Sequence, residues 1–271
     1  MVRLLLLMSL FTSIASAKPE TLFEGYAKVI SNEKHIGFVI SRYQYDNAKK
    51  QFYSSYLLKT NINGIDITES LKAVATSDFA PVSYEYTTVT GKETKTIDAK
   101  FKGDQMVATI KEGKKTERVD KKIPKGTFLS TFLLYLMMKS PDGLKAESKY
   151  EYSAIAEEDA SIQAGKALVG KEQDYLGQRA YRILNTFKGI EFLSYVSLKG
   201  EVLGTDALGQ NIKTELTKAD AATAGFAVSP SVLKLIFGDI PKGEKNSLVS
   251  PLQNGKSEGI PPGKGIQIKG K

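Results

Sequence analysis

The chain has 271 residues, no Cys, no Trp, a single His and a formal charge of +8 at pH 7. Without cysteine it has no disulfide, zinc-thiolate site, iron–sulfur cluster or thiol nucleophile, and His35 alone cannot build a multi-histidine metal cage. The length suits one large β domain or two small ones, either able to bury a core without covalent staples.

Residues 1–17 read as a cleavable signal peptide: Arg3 gives the positive start, 4–14 is almost wholly apolar, and Ala15-Ser16-Ala17 supplies the small residues of a cleavage site before Lys18-Pro19. The alternative is a buried N-terminal helix, but no polar face interrupts the run. No Cys follows the site, so a lipid anchor is not expected and the product should be periplasmic or secreted. Later apolar runs fall short of the roughly 18 residues of a membrane helix, so an integral membrane protein is not expected. Arg3 is the only charge in the leader, and residues 243–271 hold five Lys and two Glu. The remaining excess suits anionic partners such as lipid headgroups or envelope polymers, but a lysine-rich solvated surface with no particular partner is the simpler and preferred reading. Export argues against nucleic acid.

From residue 22 the chain alternates apolar and polar residues over short runs broken at Gly or Asn, the pattern of antiparallel hairpins. Expected strands are 22–30, 36–45, 52–60, 65–75, 81–89, 94–101, 105–110 and 115–121. In the third, Phe52, Ser54, Tyr56 and Leu58 share one face and Tyr53, Ser55 and Leu57 the other, so neither face is wholly polar. In the fifth, Val82, Tyr84 and Tyr86 oppose Ser83, Glu85 and Thr87, which implies one face on a core and one partly wet.

Residues 128–138 break the alternation. They read as a short helix, capped by Thr127, ended before Pro141 and apolar nearly all round, as a helix wrapped by sheet would be. Strands resume at 148–156, 167–171, 178–186, 190–197, 201–205 and 210–216, and one or two helical turns follow at 230–237. The expected organisation is therefore a leader at 1–17, a β-rich domain at 18–242 and a Gly/Pro/Lys-rich disordered tail at 243–271. The β-rich domain is either continuous or two halves, 18–124 and 144–217, joined by the helix at 127–138.

The stretch from Gly25-Tyr26 through Ile36-Gly37-Phe38, with Gly165 to Gly177 leading into Ala180-Tyr181-Arg182-Ile183, resembles a bacterial periplasmic family of unknown function related in fold to the lipoprotein carriers LolA and LolB. The resemblance implies a mainly β fold: a strongly curved antiparallel sheet, an unclosed barrel, wrapped around a central apolar helix, with space for acyl groups between them. Those carriers are usually smaller than this chain.

Few residues point to chemistry. Gly255-Lys256-Ser257 matches the end of a phosphate-binding loop, but Ser250 replaces its leading glycine and no strand precedes it. Ser231 and Lys234 have serine-x-x-lysine spacing without the companion Lys-Thr-Gly. Glu157-Glu158-Asp159 is the densest acidic cluster; it lacks the alternation of a calcium loop and reads as a solvated hairpin tip. His35 reads as an exposed turn residue. No cofactor, metal or catalytic residue is expected. If a ligand cavity exists, Phe128, Phe132, Tyr135 and Met138 of the helix and Tyr84 and Tyr86 of the sheet should line it. Two readings stand: a non-enzymatic envelope protein binding a lipid or other amphipathic component, or an interaction protein whose core is filled. A hydrolase of unrecognised type is the third.

Overall fold

The computed structural model describes residues 18–243 and the backbone of 245–246. The leader expected at 1–17, the segment around Lys256 and the rest of the tail beyond 246 lie outside the described residues.

Eight strands follow one another as hairpins: β1 (Glu20–Ser31), β2 (Lys34–Asp46), β3 (Gln51–Ile62), β4 (Ile65–Thr76), β5 (Pro81–Thr90), β6 (Glu93–Lys102), β7 (Gln105–Glu112) and β8 (Lys115–Lys122). At the β3–β4 turn Asn63 and Gly64 take the positive φ such a hairpin needs, 53° and 82°. The chain then crosses to β9 (Phe128–Leu129), a 3₁₀ turn (Ser130–Phe132) and α1 (Leu133–Lys139). A second meander follows: β10 (Lys149–Ala156), β11 (Ser161–Tyr175), β12 (Gln178–Phe187), β13 (Ile190–Ser197), β14 (Val202–Ala207) and β15 (Ile212–Thr217). It ends in α2 (Ala219–Thr223), α3 (Pro230–Phe237) and β16 (Lys245–Asn246).

All these strands belong to one sheet, ordered β8-β7-β6-β5-β4-β3-β2-β1-β15-β14-β13-β12-β11-β10-β9, with β16 beside β1. The two meanders join where Tyr26–Ser31 of β1 pairs antiparallel with β15. Among the described residues, only β9 pairs in parallel, on β10. The sheet is unclosed, and its free β8 edge carries Lys115, Glu117, Arg118, Asp120, Lys121 and Lys122, charges that discourage further pairing. Although β8 and β10 stand near opposite ends of the strand order, Lys121 Nζ donates to the carbonyl oxygen of Ala160 at 2.6 Å.

The main core lies between the two meanders: Leu71, Tyr84, Tyr86, Ile97 and Met106 of the first share it with Ile155 of the second and with Phe128, Phe132 and Tyr135. A second cluster lies on the other face of β1–β3, where Tyr26, Phe38, Ile40 and Leu57 are covered by Ala222 of α2 and Leu233, Ile236 and Phe237 of α3. This explains why neither face of β3 is polar. Phe52 belongs to one core and Leu57 to the other.

The expected helix over 128–138 is divided, and no long central helix forms. Phe128 and Leu129 pair with Ala154 and Ile155 as strand, and α1 has only seven residues. An all-apolar run carries no periodicity to separate strand from helix, so the backbone partners decide. Thr127 is not a cap; its hydroxyl donates to Ser153 Oγ at 3.1 Å. The structure also lengthens the strand expected at 167–171 to all of β11, moves those at 201–205 and 210–216 to β14 and β15, and adds α2. In contrast α3 starts and ends where expected. Pro230 opens it, Ser229 Oγ accepts from the Ser231 N–H, and Gly238 at φ 82° closes it with an N–H donated to Lys234.

Candidate functional site

Three polar or exposed constellations stand out from this frame. On the helix-covered face, Arg42 alternates along β2 with Phe38 and Ile40 and, like them, is buried. Its Nε donates to Glu24 Oε2 at 2.6 Å, one terminal nitrogen to the carbonyl of Phe237 at 2.7 Å, and the other to Asp239 Oδ1 at 2.6 Å. Its guanidinium lies 5.4 Å from the centre of the Phe237 ring. The second Glu24 oxygen accepts the backbone N–H groups of Lys242 and Gly243, and Tyr26 donates its hydroxyl to the Pro241 carbonyl at 2.9 Å. The outer hydrogen bonds of the buried pair thereby hold the chain that leaves α3.

Inside the main core, Glu157 is 5% exposed. Ser130 Oγ donates to its carboxylate at 2.5 Å and the Thr131 N–H at 3.1 Å, so Glu157 supplies the cap that α1 and its 3₁₀ turn lack of their own. Thr131 in turn accepts the Tyr43 hydroxyl at its carbonyl and lies 2.7 Å from Ser54 Oγ. Burial raises the Glu157 pKa to about 7 against the pull of the Ser130 and Thr131 bonds. The neighbouring Glu158 and Asp159 both pair with Lys188. The acidic cluster is a hairpin tip as expected, but its first member is not solvated. Nearby, burial also raises the Glu69 pKa, which hydrogen bonds from Tyr86 and Tyr56 oppose.

The third constellation is apolar and exposed. Val232 and Leu235 lie on the outward side of α3, with Ile240 just beyond it; Leu235 is 73% exposed. Beside α3 runs a groove of about 360 Å³ whose lining includes Tyr53, Lys72, Val74, Glu85, Ile236 and Phe237.

The residues expected to line a cavity have the following positions. Phe128, Phe132, Tyr135, Tyr84 and Tyr86 come together in the main core, each at most 4% exposed. Tyr43 and Tyr135 lie 4.8 Å apart between ring centres, and Phe79 stands 6.1 Å from Phe132. Met138 is half-buried outside that cluster, and Met137 instead enters a third cluster with Tyr150, Val169 and Ile183. The reason is that Tyr135 and Leu136 both face the main core, and Met138 falls on nearly the opposite side of α1 from Leu136. The hydroxyls of Tyr84 and Tyr135 are buried without a hydrogen-bond partner.

Ser231 and Lys234 are both exposed, and the Ser231 hydroxyl lies 2.7 Å from Ser229 Oγ. His35 is not the free turn residue expected: it is half-buried, with Nε2 3.1 Å from the Ala222 carbonyl oxygen and its ring edge-on to Phe226. Among the described residues, no group of three or more His, Asp or Glu side chains is placed to hold a metal ion. No helix among them is long and apolar enough to cross a membrane.

Sequence reasoning missed Arg42, Glu24 and the buried state of Glu157. A signal existed for Arg42, which continues the alternation of Phe38 and Ile40 on a face that also carries Leu57 of β3. For Glu157 there was none. Comparisons with protein-family models, with curated proteins and with solved structures return no match.

Proposed function

We propose that this is an exported, non-enzymatic envelope protein whose filled core is a scaffold and whose function is exercised at its surface, by contact with a partner. The observation that carries this reading is the packing around Phe132 and Tyr135: both are at most 1% exposed and are packed among the rings of Tyr43, Phe52 and Phe79. Side chains that fill their own enclosure leave no place there for an acyl chain. The leader at 1–17 supports a periplasmic or secreted location.

The second reading is a carrier of a lipid or lipoprotein-like hydrophobic ligand, in the manner of the LolA-related family. It draws on the shared core between the two meanders, which accords with a strongly curved, unclosed sheet over an apolar segment. It also draws on the half-buried apolar side chains at the core's margin, Tyr56, Ile162, Phe187 and Leu216.

Organic extraction of the protein recovered from the cell envelope separates the two. The scaffold reading expects no stoichiometric lipid and no uptake of a fluorescent fatty acid; a lipid recovered near one per chain would replace it by the carrier reading. Mass spectrometry of the same sample should find Lys18 at the N-terminus. An intact Met1 on cytoplasmic protein would defeat both.

A further inference from the structure

An eight-residue helix normally buries one side and solvates the other. The buried side of α3 is satisfied by Leu233, Ile236 and Phe237 against Tyr26, Phe38, Ile40 and Leu57. Its outward side is nevertheless apolar again: Leu235 is 73% exposed, Val232 37%, and Ile240 beyond the helix end 46%. An outward row of Val, Leu and Ile gains nothing from water, and the buried side already suffices to seat the helix.

Lysine outnumbers acid in the chain around this row, where Lys218, Lys234 and Lys242 stand against Asp220 and Asp239. Lys234 and Lys242 stand exposed beside it and Lys218 just before α2. The acid nearest the row in the chain, Asp239, is paired by Arg42 at 2.6 Å. Lys59 reaches the segment between α2 and α3, donating to the Ala227 carbonyl at 2.8 Å. The chain leaving this place is basic too: residues 247–271 contain Lys256, Lys264, Lys269 and Lys271 against Glu258 alone. Their point of departure is fixed, because Glu24 grips the Lys242 and Gly243 amides and β16 pairs with Phe23 and Glu24. Apolar side chains flanked by lysines match the two requirements of an interfacial contact: apolar area to bury at the acyl boundary and cations for the anionic headgroups.

We propose that α3 is a membrane-surface contact, with Val232, Leu235 and Ile240 entering the headgroup region of an anionic lipid bilayer and Lys218, Lys234 and Lys242 facing its charge. The arrangement uses the rigidity of the Arg42–Glu24 anchor, which keeps the ridge proud of the sheet. It rests on the reading of an exported protein acting through its surface, and it names the partner of that surface.

The absence of Trp makes the test site-specific. A full-length Leu235→Trp protein carries one indole on the ridge, and a Leu176→Trp protein carries one on the β11–β12 turn, where Leu176 is 61% exposed. With vesicles of phosphatidylglycerol and phosphatidylcholine, the indole at 235 should shift to the blue and the one at 176 should not. Vesicles of phosphatidylcholine alone, or high salt, should abolish the shift. Val232→Ser with Ile240→Ser should weaken vesicle binding about tenfold or more, since each removes apolar area from the contact, while leaving the denaturation midpoint in place. No shift at 235, an equal shift at 176, or equal response to both vesicle types would overturn the proposal. So would a shift at 235 driven by protein concentration alone, which would mark a contact between copies of this chain. None of these outcomes touches the lipid-extraction result, so the filled-core reading stands or falls separately.

Discussion

Arg42 and Glu24 form an ion pair inside the molecule, Nε to Oε2 at 2.6 Å, with both side chains less than a tenth exposed. The pair joins neighbouring strands β2 and β1, yet its outer bonds all go to residues 237–243, so it couples the sheet to the end of α3. Removing one member of a buried pair strands the other charge. Arg42→Met should therefore cost about 3–5 kcal/mol, whereas the double replacement Arg42→Met with Glu24→Met should recover much of that loss. Urea denaturation of the three proteins checks this; a double variant no more stable than Arg42→Met would refute it.

Glu157 makes stability depend on pH. Its pKa rises from the ordinary 4.5 of an unfolded glutamate to about 7 in the fold. Between those values the folded state binds the proton that the unfolded state has lost, so stability falls as pH increases through that window. The fall is on the order of 3 kcal/mol, all of it absent below the unfolded pKa. Glu157→Gln keeps an acceptor for the Thr131 N–H and removes the ionisation. It should flatten the profile between pH 5 and 7.5 and be the more stable protein at pH 8, as thermal melts across that range would report.

Glycine at position 37 is a matter of contact across strands. A Cβ there would lie 2.1 Å from the Lys59 carbonyl oxygen and 2.7 Å from the Thr60 Cα, both backbone atoms of β3 that cannot turn aside. Gly37→Ala should cost about 3 kcal/mol or more. At Gly25 the added atom meets the ends of the Phe23 and Leu216 side chains, which can move, so Gly25→Ala should cost less. Chemical denaturation of the two single variants ranks them; the reverse order would contradict the argument.

The buried hydroxyls of Tyr84 and Tyr135 find no partner, and burial raises both pKa values. A buried hydroxyl left without a bond is a cost of about 1–3 kcal/mol. Tyr84→Phe and Tyr135→Phe should leave stability unchanged or raise it by about 1 kcal/mol, while Tyr43→Phe, which loses the bond to Thr131, should lower it by about as much. Equal losses at all three positions would mean that the first two hydroxyls have partners.

What the sequence alone determined was local. Alternation and turn chemistry placed the hairpin strands of the first meander, and they put Tyr84 and Tyr86 opposite Ser83, Glu85 and Thr87, because strand faces follow a period of two wherever one face is wet. Ser229, Pro230 and Gly238 bounded α3 because caps act on their own neighbours. The tertiary structure decided what depends on distant partners. The β1–β15 pairing made one sheet of two meanders, Ala154 and Ile155 drew Phe128 and Leu129 into a strand, and Glu157 became buried beneath Ser130. Tyr26 and Pro241 bond across 215 residues of chain. Spacing cannot encode such a contact, because the free energy that selects it is burial shared between segments that meet only when the sheet has formed. Of the candidate site, the apolar outward face of α3 could be read from the helix itself. That Arg42 and Glu24 hold it in place could not.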